Sequence, residues 1–190
     1  AGCGGRLEAP VEATDTTEPI EATVAAVPVE DGTLDVVPEQ VSVTPEGAAA
    51  LIAEPTSVSI GETVEVSVHL AEVPGLLGAE VHLVFDPTMV RPVDADPEKN
   101  GVQVEPGDVL MPDFVALNDV NAEAGVIRYA VSQSGAAQAT ANAGNLLIAH
   151  LQGSASGETE ISVASITLAE PDGGEIPVIL DPAAVTLEID

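Results

Sequence analysis

The sequence predicts an all-β protein, a β-sandwich of about nine strands with jelly-roll topology, preceded by a disordered N-terminal tail. Three observations predict this. From Ala49 onward, apolar residues recur with a period of two, the spacing that places alternate side chains on one face of a strand. The runs are short and are separated by Gly, Pro and Asp clusters that favour turns. No long segment keeps the apolar period of a helix.

The tail comes first. Residues 1–48 hold 10 acidic residues, one Arg and five prolines, a charge of −9. From Glu12 to Glu39 Thr, Glu, Pro, Ala and Val alternate with no sustained period. Proline removes backbone donors and turns the preceding residue away from helix. Self-repelling charge extends what remains, so these residues read as a disordered acidic linker. The competing reading is that Leu34–Val43 adds a stray strand to the domain. The first residues, Ala1-Gly2-Cys3-Gly4-Gly5, resemble the end of a bacterial lipoprotein signal, where a small-residue pair precedes a Cys that is lipidated. Lipidated at Cys3, the chain would be anchored to a membrane without spanning it, on the cell surface. The competing reading is an incidental Cys.

Residues 49–190 supply the sandwich, with strands predicted near 49–54, 63–71, 78–85, 89–93, 109–117, 125–133, 145–153, 159–168 and 183–189. Val64, Val66, Val68 and Leu70 alternate with Glu65, Ser67, His69 and Ala71. Val81, Leu83 and Phe85 alternate with Glu80, His82 and Val84, and Ile127, Tyr129 and Val131 with Arg128, Ala130 and Ser132. Each pattern is a half-buried strand with one wet face. Turn pairs such as Pro74-Gly75, Asp86-Pro87 and Pro106-Gly107 separate them. A domain of this length buries enough aliphatic surface to fold without disulfides or metal.

Composition removes several functions. The chain carries 32 acidic residues against 4 basic ones, a net −28, so it lacks the clustered cations that nucleic-acid binding requires. One Cys cannot build a disulfide framework. Trp is absent and aromatics make up 2%, which leaves little for stacking on sugar rings. His69, His82 and His150 have no metal-ligand spacing and read as structural or surface residues. Ser132-Gln133-Ser134-Gly135 lacks the glycine-flanked nucleophile elbow. Asp94-Ala95-Asp96-Pro97-Glu98-Lys99-Asn100-Gly101 loosely follows a calcium loop, but Pro97 and Lys99 interrupt it and the bidentate terminal Glu is missing. It reads as a solvated acidic loop, with calcium as the alternative. No catalytic constellation emerges, so the chain is not expected to be an enzyme.

Five segments in register carry a family resemblance. Gly61-Glu62-Thr63-Val64-Glu65-Val66, followed by Val81-His82-Leu83-Val84-Phe85-Asp86-Pro87-Thr88-Met89-Val90, resembles the opening of a bacterial cohesin domain. Val104-Glu105-Pro106-Gly107-Asp108-Val109-Leu110, Ala124-Gly125-Val126-Ile127-Arg128-Tyr129-Ala130 and Gly144-Asn145-Leu146-Leu147-Ile148-Ala149-His150-Leu151 resemble its later turn and two strands, with Leu151 where an aromatic is usual. The resemblance covers about residues 49–190. It implies a non-catalytic recognition module that binds a dockerin-containing protein in extracellular polysaccharide degradation, with calcium in the dockerin and no cofactor of its own. The implied binding face includes the third and sixth strands. By position, the partner-binding candidates are Glu80, His82 and Val84 before Phe85-Asp86, then Arg128, Ala130 and Ser132 with Gln133 and Ser134 in the following turn, and Asn118 closing the fifth strand. The expected state is an extracellular, surface-anchored monomer. The alternatives are a carbohydrate-binding module of similar fold and a structural or adhesive surface domain without a dockerin partner. The sparse aromatics count against the first of these.

Overall fold

A computed structural model of the chain describes residues 47–110, 114–134 and 140–190. Cys3, the acidic linker and the Leu34–Val43 alternative lie outside the described residues. Among those described there are fifteen strands and no helix. In chain order they begin with β1 (Gly47–Glu54), β2 (Ser57–Val58), β3 (Thr63–Leu70), β4 (Val73–Pro74) and β5 (Gly78–Val84). β6 (Val90–Val93), β7 (Glu105–Pro106), β8 (Phe114–Asn121), β9 (Val126–Ser132) and β10 (Thr140–Ala141) follow. The chain ends with β11 (Gly144–Gly153), β12 (Gly157–Ala169), β13 (Glu175–Ile176), β14 (Val178–Leu180) and β15 (Ala184–Ile189).

One sheet has the order β14-β1-β3-β11-β6, with β7 also paired to β11. The other has the order β2-β15-β12-β5-β9-β8, with β13 paired to β12. The period-two pattern explains why they pack together. Leu51, Val64, Val66, Val68, Leu147 and Leu151 of the first sheet are fully buried, as are Val81, Leu83, Ile127, Ile161 and Leu187 of the second. They belong to one continuous apolar core. Burying each such side chain is worth roughly 1.5–3 kcal/mol relative to exposure. The sandwich expectation holds, and eight of the nine predicted strands lie within a few residues of their expected positions.

The fifth strand is displaced. It spans Phe114–Asn121, not 109–117, and Asn118 sits inside it instead of closing it. Val109 and Leu110 are buried without being strand, because the segment before them is strapped across β11. There a register irregularity between Asn145 and Leu147 frees two carbonyls. Gly107 N–H donates to Leu146 O at 3.0 Å and Val109 N–H to Asn145 O at 3.1 Å. Asp108 Oδ1 accepts the Asn145 N–H at 2.7 Å. A Cβ on residue 107 would stand 1.8 Å from Asn145 O, so only glycine fits so close to a neighbouring backbone. The six shorter strands, β2, β4, β7, β10, β13 and β14, have two or three residues each, too few to show a period.

Two turns explain further parts of the sequence pattern. Asp86 Oδ1 accepts the Thr88 backbone N–H at 2.8 Å and the Thr88 hydroxyl at 2.7 Å. These two bonds hold the Asp86 carboxyl below its usual range. Gly125 has φ of +67°, and a Cβ there would lie 2.1 Å from Phe85 O, which accepts no side chain so near. In the acidic loop, Asp94 Oδ1 accepts N–H groups from Asp96 at 3.1 Å and Gln103 at 2.9 Å. Asp96 meets Lys99 Nζ at 2.8 Å, so both carboxylates are engaged in shaping their own loop. No group of three or more metal-ligating side chains is assembled among the described residues.

Two side chains tie this architecture to measurable stability. Asn118 holds Val104 from both sides: its Oδ1 accepts the Val104 N–H at 2.9 Å and its Nδ2 donates to Val104 O at 2.8 Å. Asn118→Ala leaves two part-buried backbone groups unpaired and is expected to cost about 1–3 kcal/mol. Urea unfolding checks this, and an unchanged midpoint would show that the clamp contributes nothing. Tyr129, 1% exposed, has its phenol pushed up from 10.0 to about 12 by burial. The fold therefore favours the neutral phenol. Its contribution is fully present below the unfolded value near pH 10 and is lost as pH rises through about 12. Tyr129 is the only tyrosine, so phenolate absorbance reports it alone. The folded protein should show little phenolate at pH 10, and half-ionisation there would refute the assignment.

Candidate functional site

The nine candidate residues derive from two strands, β5 and β9, and from positions beside them. Both strands are central in the second sheet, between β12 and β8. Their inward residues are committed to the core, so their outward residues form the middle of an open face. The register defines four rungs across it. Ala169, Gly78, Ser132 and Phe114 form the first, and Thr167, Glu80, Ala130 and Leu117 the second. Ser165, His82, Arg128 and Asp119 form the third, and Ser162, Val84, Val126 and Asn121 the fourth.

Glu80, His82, Val84, Arg128, Ala130 and Ser132 are thus brought together as adjacent positions on one face. Asn118 is not. It pairs with the inward Tyr129, and its amide is spent on Val104. Gln133 sits just past β9, where its N–H donates to Leu77 O at 2.9 Å and its Nε2 reaches Leu76 O at 3.5 Å. It anchors the chain entering β5 at one end of the face. Ser134 is exposed beyond it.

The electrostatics of the face differ from those of the domain. Residues 49–190 carry 22 acids and three Lys or Arg residues, yet the four rungs hold only two acids, Glu80 and Asp119. Each of these has a basic side chain beside it, the histidine being a counter-charge only when protonated. His82 Nε2 lies 3.0 Å from Glu80 Oε1, and Arg128 Nη2 lies 2.6 Å from Asp119 Oδ2. Both pairs are partly exposed and add at most about 1 kcal/mol to stability. Their effect is local: they leave a nearly neutral surface that loses little hydration energy when a partner covers it. Most of the domain's acids stand in loops and at strand ends.

Sequence reasoning missed half of this face. Ser165, Thr167 and Ala169 on β12, with Phe114, Leu117 and Asp119 on β8, complete the rungs. Both outer strands carry a register irregularity, between Val163 and Ser165 and between Val115 and Leu117, and each breaks the period of two. A usable signal existed in the charge. Ile161 to Ala169 are nine consecutive uncharged residues in a strongly acidic chain. The three histidines stay apart from one another in function: His69 Nδ1 meets Asn145 Oδ1 at 3.2 Å, and His150 Nε2 meets Glu105 Oε2 at 3.3 Å, both on the other sheet.

Solved structures share this architecture, although no curated protein sequence matches the chain. The chain is similar to a type II cohesin domain from the cellulosome of Acetivibrio cellulolyticus, with a TM-score of 0.65 and 16% identity over 75% of this chain and 95% of that one. It is also similar to a chain of a type I cohesin–dockerin complex from Clostridium thermocellum, with a TM-score of 0.59 and 17% identity over 75% of this chain and 99% of that one. A non-cellulosomal cohesin from the archaeon Archaeoglobus fulgidus gives a TM-score of 0.59 and 12% identity over 76% and 91% of the two chains. At these identities the likeness is one of fold. The Cohesin domain profile, in contrast, matches the sequence itself over residues 49–178, and the chain therefore belongs to the cohesin family.

Proposed function

We propose that the chain is a non-catalytic docking module that binds a dockerin-bearing protein through the outer face of β12, β5, β9 and β8. The observation that carries this reading is the nearly neutral face of a family member whose domain charge is −19. A partner covering it displaces water from small and apolar side chains and meets few unpaired charges. The acidic surroundings select partners with basic rims and accelerate their encounter. Similar folds occur in cohesin–dockerin complexes, which supports the choice of partner.

Residues 1–46 act as an extended acidic linker, since Gly47 and Ala48 already belong to β1, and a lipid on Cys3 holds the module at the cell surface as a monomer. There it recruits proteins that act on extracellular polysaccharide. Calcium belongs to the dockerin, and the module needs no cofactor. Direct carbohydrate binding is less well supported, since Phe85 and Tyr129 are buried and of the three aromatics only Phe114 is available for stacking.

Isothermal titration of the full chain against calcium-loaded dockerins of its source organism tests the reading. At least one should bind, and chelation of calcium should abolish the heat. Arg128→Glu adds a third acid to the face and breaks the pair with Asp119, so it should weaken binding by about tenfold or more, about 1.4 kcal/mol. The thermal midpoint should hardly move, because the pair is exposed. If no dockerin binds and the chain is retained on cellulose or xylan instead, the docking reading is wrong.

A further inference from the structure

The face is uneven. At the first and second rungs its surface sinks into a shallow depression of about 290 Å³. Gly78, Ala130 and Ala169, which have no side chain beyond Cβ, line it together with Ser132, which stands between Gly78 and Phe114. At Gly78 a Cβ would be crowded against β9, 3.1 Å from Val131 O. Phe114 and Ala116 of β8 form one wall, and Glu80 and Thr167 stand at the rim. The irregularity between Val115 and Leu117 places both Phe114 and Leu117 on the outer face. Phe114 is 62% exposed, the highest value among the large apolar residues described. The depression is open to solvent on its outer side, so a side chain can lie against its lining without being enclosed.

We propose that this depression is the anchor socket of the docking face: it receives one bulky aliphatic or aromatic side chain of the bound dockerin, an inference that rests on the docking reading above. Three observations favour this occupant. The socket is continuous with the central charged rung, so a partner that reaches His82 and Arg128 also covers it. Its apolar lining and the exposed Phe114 ring gain most from an apolar insert. Glu80 at the rim, paired with the half-buried His82, suits a Lys or Arg beside the inserted residue on the partner. Anchors of this kind, seated in a pocket and ringed by near-neutral contacts, carry most of the free energy of an interface.

The test uses the full chain and a calcium-loaded dockerin that binds it. Ala130→Trp fills the depression and Phe114→Ser removes the wall; the second change is at an exposed site and should fold normally. Circular dichroism checks folding, and titration calorimetry reads affinity. Each variant should weaken binding by about tenfold or more. On the partner, truncating its inserted apolar residue to Ala should weaken binding of the unchanged chain, with little further loss in Ala130→Trp. If both variants bind like the unchanged chain while Arg128→Glu does not, the socket is refuted and the docking reading stands. If the unchanged chain binds no dockerin, both are refuted. If the unchanged chain dimerises in sedimentation and Phe114→Ser is monomeric, a second copy fills the socket and the proposal is overturned.

Discussion

The structure depends on the register of β5 between β12 and β9. β5 is the strand whose inner residues, Val81 and Leu83, are fully buried and whose outer residues, Glu80 and His82, define the face. A slip of one residue would put Glu80 and His82 into the core and Val81 and Leu83 into water. No such alternative can compete, because a buried unpaired carboxylate costs far more than any hydrogen-bond ladder recovers. Register is therefore fixed by burial, and the position of every face residue derives from it. Phe85 closes the strand with its N–H donated to Gly125 O at 2.9 Å, and Gly125 in turn has room only because it lacks a Cβ. The Asp86-Pro87-Thr88 turn then redirects the chain toward the opposite sheet. The motif residues that carry the family resemblance are those that set this register and its exits.

The same constraint explains where the charge stands. A sandwich with an aliphatic core gains nothing from acids on its inner faces, and outward positions on central strands are shared with cross-strand neighbours, where like charges repel. Loops carry the acids at lower cost, and several of those acids cap their own turns, as Asp86, Asp94, Asp96 and Asp172 do. The domain is thus strongly acidic at its loop ends and nearly neutral across the four central rungs. Charge and the proposed docking face are separated in space: the loops carry most of the ions, and the face holds few to strip.

Much of this was legible in the sequence. The period of two located β3, β5 and β9 and their inner residues, because a half-buried strand writes its burial directly into residue type. Phase alone gave the outward residues of β5 and β9, and the family resemblance singled them out as candidates. The misses have local physical reasons. Val109 and Leu110 are apolar because they plug the core, and burial without strand geometry looks the same in sequence as a strand does. Asn118 reads as a polar strand residue, yet its polarity serves a backbone clamp, which depends on Val104 lying beside it in space. The outer strands β8 and β12 were only half read because an irregularity shifts the phase partway along each. The sequence holds no separate mark for a bulge when the residue inserted is an alanine.

The aromatic shortage gains meaning from these positions. Three aromatics could have been three core residues, or three parts of a binding strip. Phe85 and Tyr129 are buried beneath the face, and Tyr129 fills the core side of the strand whose other side presents Arg128 and Ala130. Phe114 stands alone on the edge strand, beside positions occupied by Gly and Ala. A sugar-binding surface needs several rings in line, spaced to match successive residues of the chain they hold. One ring over a hollow offers a different geometry: a single contact of high energy surrounded by small side chains that let a partner approach closely. That geometry fits the proposed anchoring of a partner's side chain, because with Phe85 and Tyr129 in the core only Phe114 is left on the surface.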